Sequence, residues 1–144
     1  MTSYNKIVIA SQLFQRAHEQ FEMAKTDIDY GSSLLLSGAV VGIIAPVLSE
    51  IGGRAMHDIL ADIANVISDS DSQKYHSGLF RAAYNSLKHA GNERRKVAPS
   101  DDLAFETDLR LEAAHMLDVA KSDFKELRNL VIVREQCSKE FIEL

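Results

Sequence analysis

The chain has 144 residues, of which 46% are hydrophobic and 26% charged, and these values are typical of a single globular domain. A domain of this length buries a hydrophobic core without disulfides, and the single cysteine, Cys137, cannot form one within the chain. The formal net charge of -5 disfavours a general nucleic-acid coat protein. We therefore expect one domain over residues 1–144 in a reducing, cytoplasmic setting, with no cofactor.

Neither a signal peptide nor a membrane span is predicted. The amino-terminal apolar run is only four residues long and is followed at once by polar residues. The longest apolar stretch runs from Leu34 to Leu48, about 15 residues, whereas a spanning helix needs about 20. We interpret it as a buried core helix and expect no membrane partner.

Apolar periodicity predicts a first helix over residues 4–28 and a second over residues 33–51. In the first, apolar residues recur at spacings of three and four, as in a helix packed lengthwise against its neighbours. The second is apolar nearly all round, with Ser32 or Ser33 as its N-cap. Pro46 removes a backbone donor and is expected to kink or break this second helix.

The remaining sequence predicts three more helices. A third helix is expected over 54–67, a fourth over 72–90, and a fifth from Ser100–Asp102 to about Arg134. The acidic residues at the start of the fifth helix lie at the end that the helix dipole favours. Polar loops are expected over residues 68–72 and 91–101, with Gly91 suited to a left-handed helix cap. The predicted fold is therefore all-α, a four- to five-helix up-and-down bundle.

The fourth predicted helix carries a polar stripe. Arg81, Asn85 and His89 are spaced by four residues, so on a regular helix they drift by only about 40° per step. Arg can hold a phosphate, Asn can orient a phosphate or a base, and His can act as an acid or base near neutral pH. These three are candidate catalytic residues for phosphodiester chemistry. The alternative is that Asn85 and His89 hydrogen-bond a neighbouring helix while Arg81 is solvated.

Positive charge is concentrated around this stripe. Residues 81–96 contain five basic residues and one acidic residue, a net of +4 on a chain whose total is -5. A basic patch on an acidic body suits an anionic partner bound at one place, although a solvated run of charge is the simpler interpretation. The candidate contacts to a nucleic-acid backbone are Lys88, Arg94, Arg95 and Lys96.

Two large aromatic side chains, Phe80 and Tyr84, fall outside the apolar face predicted for the fourth helix. We therefore expect this side of the helix to be covered, either by a second subunit or by another helix of the same chain. Their position beside the polar stripe argues for an interface there.

Residues 80–92 resemble a known signature. Tyr84-Asn-Ser-Leu-Lys-His-Ala90 is similar to the aromatic-Asn-x-x-Lys-His-Ala pattern of small bacterial helical proteins of the HEPN superfamily. That resemblance implies a helical bundle that is often dimeric. It also implies either a metal-independent ribonuclease of a bacterial defence or toxin system, or a protein that only binds nucleotides.

The spacing of catalytic residues in that superfamily is matched elsewhere in the chain. Its catalytic members carry Arg, four to six residues, and then His, whereas Arg81 and His89 have seven residues between them. Arg110 and His115 have four between them and are the second catalytic candidate. Residues five apart on a regular helix diverge by about 140°, so this pair needs a helix start, a bend or a partner subunit to converge.

A metal site is not expected. Glu112 and His115 have the Glu-x-x-His spacing of di-iron bundles, but the chain has no second such pair. His57 has no carboxylate on its own helical face and is interpreted as a core-edge histidine. Two functions remain open. One is an HEPN-like protein that binds RNA or a nucleotide and processes RNA in bacterial defence or stress, and the other is a non-catalytic homodimeric scaffold or protein-interaction module.

Overall fold

The computed structural model describes residues 1–68 and 76–130. These residues are 72% helical, form five α-helices and contain no strand, which confirms the predicted all-α bundle. Several predicted features lie largely or wholly outside the described residues. They are the loop over 68–72, the start of the fourth helix, the continuation of the fifth helix to Arg134, and Cys137. The helices are α1 (Lys6–Glu22), α2 (Asp27–Glu50), α3 (Met56–Ile67), α4 (Ala82–Lys88) and α5 (Leu109–Asn129), with short 3-10 turns at Ser77–Arg81 and Pro99–Asp101.

The first two helices meet at a capping box that the sequence prediction missed. The Asp29 carboxylate accepts hydrogen bonds from the Lys25 and Thr26 backbone N–H groups and from the Thr26 hydroxyl, and these bonds hold the pKa of Asp29 below its ordinary value. Helix α1 therefore ends at Glu22 and not at 28, and α2 begins six residues earlier than predicted.

The serines expected to cap α2 have other roles. Ser32 donates to the Ile28 carbonyl within the helix. The buried Ser33 hydroxyl donates to the Ala17 carbonyl at 2.8 Å and so joins α2 to α1. The prediction for these two residues was wrong because the Thr26 capping box satisfies the orphan N–H groups nearly two turns earlier.

Helix α2 continues through Pro46 without the expected break. Because Pro46 has no N–H, the carbonyl of Gly42 loses its helical partner. Both residues lie on the exposed side of the helix, where water can satisfy that carbonyl. Among the described residues, α2 alone is long and apolar enough to cross a membrane. Half of its most apolar 18-residue stretch is buried against the rest of the protein. A buried core helix meets the same criteria of length and composition.

The hydrophobic core lies between α1, α2 and α5, which pack together along most of their lengths. Phe14 of α1 meets Phe124 of α5 edge to face, with ring centroids 5.9 Å apart. The apolar seam predicted for the first helix is buried at Ile7, Ala10 and Phe14, whereas its last residue, Ile28, lies beyond the end of α1 and is 71% exposed. Helices α3 and α4 pack against this three-helix core, and α4 carries Asn85 of the predicted polar stripe.

The fourth predicted helix is shorter and less regular than expected. Within the described residues it consists of the 3-10 turn Ser77–Arg81 followed by α4, and it ends at Lys88 because His89 is extended (φ -131°, ψ 147°). Gly91 has the left-handed conformation expected of it (φ +80°), but it lies in the loop and does not cap the helix.

The fifth helix begins at Leu109, whose N-cap Asp108 accepts a hydrogen bond from the Leu111 N–H at 3.0 Å. The predicted start at Ser100–Asp102 was wrong because this segment forms a short 3-10 turn. The Asp102 carboxylate is also engaged elsewhere, since it accepts from the Gly91 N–H at 2.7 Å.

Candidate functional site

The predicted polar stripe divides between two sides of α4. A 3-10 helix has 3.0 residues per turn instead of 3.6, so Arg81 is rotated away from the direction that a regular helix gives it. Its side chain is half-buried against α2, while Asn85 and His89 are exposed on the side of the following loop. The structure therefore brings Asn85 and His89 together and places Arg81 elsewhere.

Asn85 and His89 border an open cavity of about 760 Å³, which we call the loop cavity. This volume lies within the range of small-molecule and nucleotide sites. Two of the predicted phosphate-binding residues, Arg94 and Arg95, also line it. The remaining lining residues are Ser86, Gly91, Asn92, Glu93, Val97 and Asp102.

The loop holds its basic residues through backbone hydrogen bonds. The N–H and carbonyl groups of Asn92 and Val97 bond reciprocally at 2.9 Å and close a turn that contains Arg94 and Arg95. The Asn92 side chain accepts from the Arg95 N–H at 3.0 Å. Lys96 takes the left-handed conformation (φ 55°) that completes this turn. The two arginines are thus presented by an ordered turn at the rim of the loop cavity.

Gly91 fixes the path from α4 into this turn. Its φ of +80° disfavours any residue with a side chain, and an added Cβ would lie 3.0 Å from the Pro99 nitrogen and 3.1 Å from the Val97 carbonyl oxygen. The Asp102 carboxylate holds its N–H at 2.7 Å from the other side.

The other two predicted phosphate contacts lie outside the cavity lining. Both Lys88 and Lys96 are exposed, and the Lys88 amine lies 5.4 Å from the centre of the Tyr84 ring. They add positive charge near the loop cavity without bordering it.

The two aromatic residues beside the stripe are covered by helices of the same chain. Tyr84 is only 5% exposed and packs on the backbone of α2 at Gly38, where an added Cβ would overlap the ring. Phe80 stacks on His57 of α3, with ring centroids 6.0 Å apart. Of the two expected coverings, another helix of the same chain is therefore the one observed.

A pair of histidines that no sequence pattern predicted joins α3 to α5. The Nε2 atoms of His57 and His115 are 3.2 Å apart, and one donates a hydrogen bond to the other. His57 is 3% exposed, as expected of a core histidine. Burial lowers its pKa to about 4, helped by the charges of His115 and Arg81, so that the ring is neutral at pH 7.

Arg81 borders a second, smaller cavity of about 230 Å³, which we call the arginine cavity. Its Nη2 lies 3.5 Å from the Gly38 carbonyl oxygen, and its guanidinium carbon lies 5.1 Å from the centre of the Tyr84 ring. Its Nε is buried and has no hydrogen-bond partner among the described residues. The cavity is also lined by His57, Asp58 and residues of α2.

Arg110 and His115 do not meet within the chain. Both lie on the regular helix α5, where their directions diverge by about 140°. Arg110 is exposed in the first turn, whereas His115 is turned towards His57 of α3. In residues 1–68 and 76–130, no three His, Cys, Asp or Glu side chains are grouped to hold a metal ion.

No family model, no curated protein and no solved structure matches this chain. The resemblance of residues 80–92 to HEPN proteins therefore remains a prediction from the sequence.

Proposed function

We propose that the protein is an HEPN-like helical protein that binds RNA or a nucleotide at the loop cavity. The observation that supports this proposal is that Asn85, His89, Arg94 and Arg95 border one open cavity. Guanidinium groups bind phosphate oxygens in pairs, and an exposed amide and imidazole supply donors and acceptors to a base edge. The surrounding lysines add a local positive field on an acidic protein.

The arrangement of the loop cavity supports binding of RNA or a nucleotide and not cleavage. Phosphodiester cleavage by the predicted trio needs Arg81, Asn85 and His89 around one phosphate, and Arg81 borders the other cavity. RNA processing in defence or stress stays an extension of the proposal. Its test is cleavage of RNA in the presence of a chelator, with His89→Ala and His115→Ala as the variants expected to abolish it.

Binding is tested by fluorescence anisotropy with a short single-stranded RNA over a series of salt concentrations. Each neutralised phosphate contributes about -0.7 to the slope of log affinity against log salt for a single strand. The double variant Arg94→Ala/Arg95→Ala is expected to weaken binding and to make the slope shallower by about 1.4.

Arg16→Ala is the matched control, because Arg16 is an exposed arginine on α1 that is ion-paired with Glu19 at 3.1 Å. It should leave both the affinity and the salt slope unchanged. The proposal is wrong if the wild-type protein shows no salt-dependent binding, or if the control weakens binding as much as the double variant does.

The second candidate function is a non-catalytic homodimer or protein-interaction module. It is favoured by exposed apolar side chains, with Val66 and Ile67 of α3 at 83% and 77% exposure and Leu111 of α5 at 67%. Sedimentation of wild type and of Val66→Asp distinguishes the two functions. A dimer that dissociates in this variant, together with no RNA binding, supports the interaction module.

A further inference from the structure

We propose that the arginine cavity is a binding site for a phosphate-class oxyanion, held by Arg81, by His57 and by the amino-terminal turn of α3. This inference is independent of the proposed function, because none of these groups borders the loop cavity. The ligand is either inorganic phosphate or the terminal phosphate of a nucleotide. The cavity of about 230 Å³ is smaller than ordinary sites for whole drug-sized ligands, which begin at about 300 Å³.

Arg81 supplies a positive charge without a negative partner. Among the described residues no carboxylate lies within ion-pair distance of its guanidinium, and its only protein acceptor is the Gly38 carbonyl at the long distance of 3.5 Å. A buried donor without a partner costs about 1–3 kcal/mol, and more when it is charged, so the unpaired Nε calls for an acceptor. A tetrahedral oxyanion in the cavity supplies acceptors to several of its N–H groups at once.

His57 supplies a second buried nitrogen without a partner among the described residues. The ring is 97% buried (3% exposed), borders the same cavity, and uses Nε2 in its hydrogen bond with His115. Its Nδ1 is buried and has no partner among the described residues. When His115 donates to His57, the hydrogen of the neutral His57 ring is on Nδ1, which then donates to an anion.

The amino-terminal turn of α3 adjoins the same cavity. Its Met56 N–H donates to the Asp123 carboxylate at 2.7 Å, so the turn contributes its dipole and not this N–H. Ala55, His57 and Asp58 border the cavity, so the end of the helix where the dipole is positive adjoins it. Gly42 of α2 leaves the guanidinium accessible, since an added Cβ would lie 3.5 Å from its Nη2.

One group on the cavity wall opposes an anion. Asp58 is exposed and its carboxylate repels phosphate, so this residue limits the affinity of the site. Removing the charge should therefore strengthen binding, which provides a gain-of-function test alongside the loss-of-function variants.

The test is titration of the isotope-labelled full chain with sodium phosphate at constant ionic strength, balanced with chloride, while the Arg81 Nε–H and His57 ring signals are recorded by NMR. Saturable shifts of both signals are expected. Arg81→Gln should weaken binding about ten-fold or more, as expected for the loss of a charge-assisted hydrogen bond, and Arg81→Lys should weaken it less. Asp58→Asn should bind more tightly than wild type.

Arg54→Gln is the matched control, because Arg54 precedes the same helix, is exposed and pairs with Asp62. It should bind phosphate as wild type does, and circular dichroism checks that each variant is folded. The inference is overturned if chloride alone gives the same shifts, if Arg54→Gln and Arg81→Gln weaken binding equally, or if Asp58→Asn fails to strengthen it.

Adenosine monophosphate distinguishes the two sources of the phosphate group. Shifts of the Arg81 signal at a lower concentration than with inorganic phosphate indicate a nucleotide terminus, and shifts with inorganic phosphate alone indicate the free ion. Loss of RNA binding in Arg94→Ala/Arg95→Ala has no bearing on these signals, so the two proposals fail separately.

Discussion

Two buried groups at the junction of α3 and α5 should give opposite pH dependences to the stability of this protein. Asp123 of α5 is 1% exposed, its Oδ1 accepts from the Met56 N–H at 2.7 Å, and its Oδ2 is buried without a partner among the described residues. Burial raises the pKa of Asp123 from 3.8 to about 6, against the lowering effect of the Met56 hydrogen bond and with a smaller raising effect from Asp58.

The direction in which Asp123 changes stability with pH follows from its proton occupancy in the folded and unfolded chain. Between pH 4 and pH 6 the folded protein holds a proton on Asp123 that the unfolded chain has released, so stability falls as the pH rises through this window. The difference between a pKa of 3.8 and one of about 6 corresponds to about 3 kcal/mol.

His57 acts in the opposite direction. Its pKa of about 4 in the folded protein lies below the ordinary 6.5, so the unfolded chain binds a proton first as the pH falls. Stability therefore rises with pH between 4 and 6.5, again by about 3 kcal/mol. In the wild-type protein the two contributions nearly cancel over this range.

The substitutions Asp123→Asn and His57→Gln should separate these contributions. Asn keeps an acceptor for the Met56 N–H and removes the titrating carboxyl, so the stability of this variant relative to wild type should rise by about 3 kcal/mol from pH 4 to 6. His57→Gln should show the reverse, a fall of about 3 kcal/mol relative to wild type from pH 4 to 6.5.

Urea unfolding at half-unit pH intervals measures these slopes, and differences from wild type remove the contributions of all other groups. Asp118→Asn is the control for the replacement of a carboxylate on the same helix, since Asp118 is exposed. Parallel profiles for Asp123→Asn and wild type would refute the reasoning.

Three further substitutions test the packing and the loop. Gly38→Ala should lower the free energy of unfolding by about 1–3 kcal/mol in urea titrations, because the new Cβ overlaps the buried Tyr84 ring. Gly91→Ala should weaken RNA binding in the anisotropy assay, because its φ of +80° and its contacts with the backbone at 3.0 Å force the loop to move. Ser33→Ala should cost about 1 kcal/mol in thermal unfolding, because it removes the 2.8 Å hydrogen bond that joins α2 to α1.

The elements that depend on local pattern were predictable from the sequence. The buried apolar residues of α1 and the position of α3, which was predicted over 54–67 and is observed at Met56–Ile67, follow directly from residue spacing. The all-α fold follows from several such patterns agreeing with one another.

The helix boundaries were predicted wrongly where one polar residue had two possible roles. Asp29 was left between the first two predicted helices, but it completes the capping box of α2. Asp102 was assigned to the start of α5, but its carboxylate bonds the backbone of Gly91, eleven residues away in the sequence. A single sequence does not show which donor a side chain will meet after folding.

The candidate site shows the same limit. The joint position of Asn85 and His89 followed from their four-residue spacing, and the 3-10 turn before α4 separated Arg81 from them. The contact between His57 and His115 joins residues 58 positions apart, which no spacing rule connects.

The position of bound RNA on the protein tests the central proposal most directly. Adding single-stranded RNA to the labelled full chain should shift the NMR signals of the Asn85 side-chain amide, the His89 ring and the Gly91 amide, all of which border the loop cavity. Shifts confined to Val66 and Ile67 of α3, or no shifts at low salt, would contradict it.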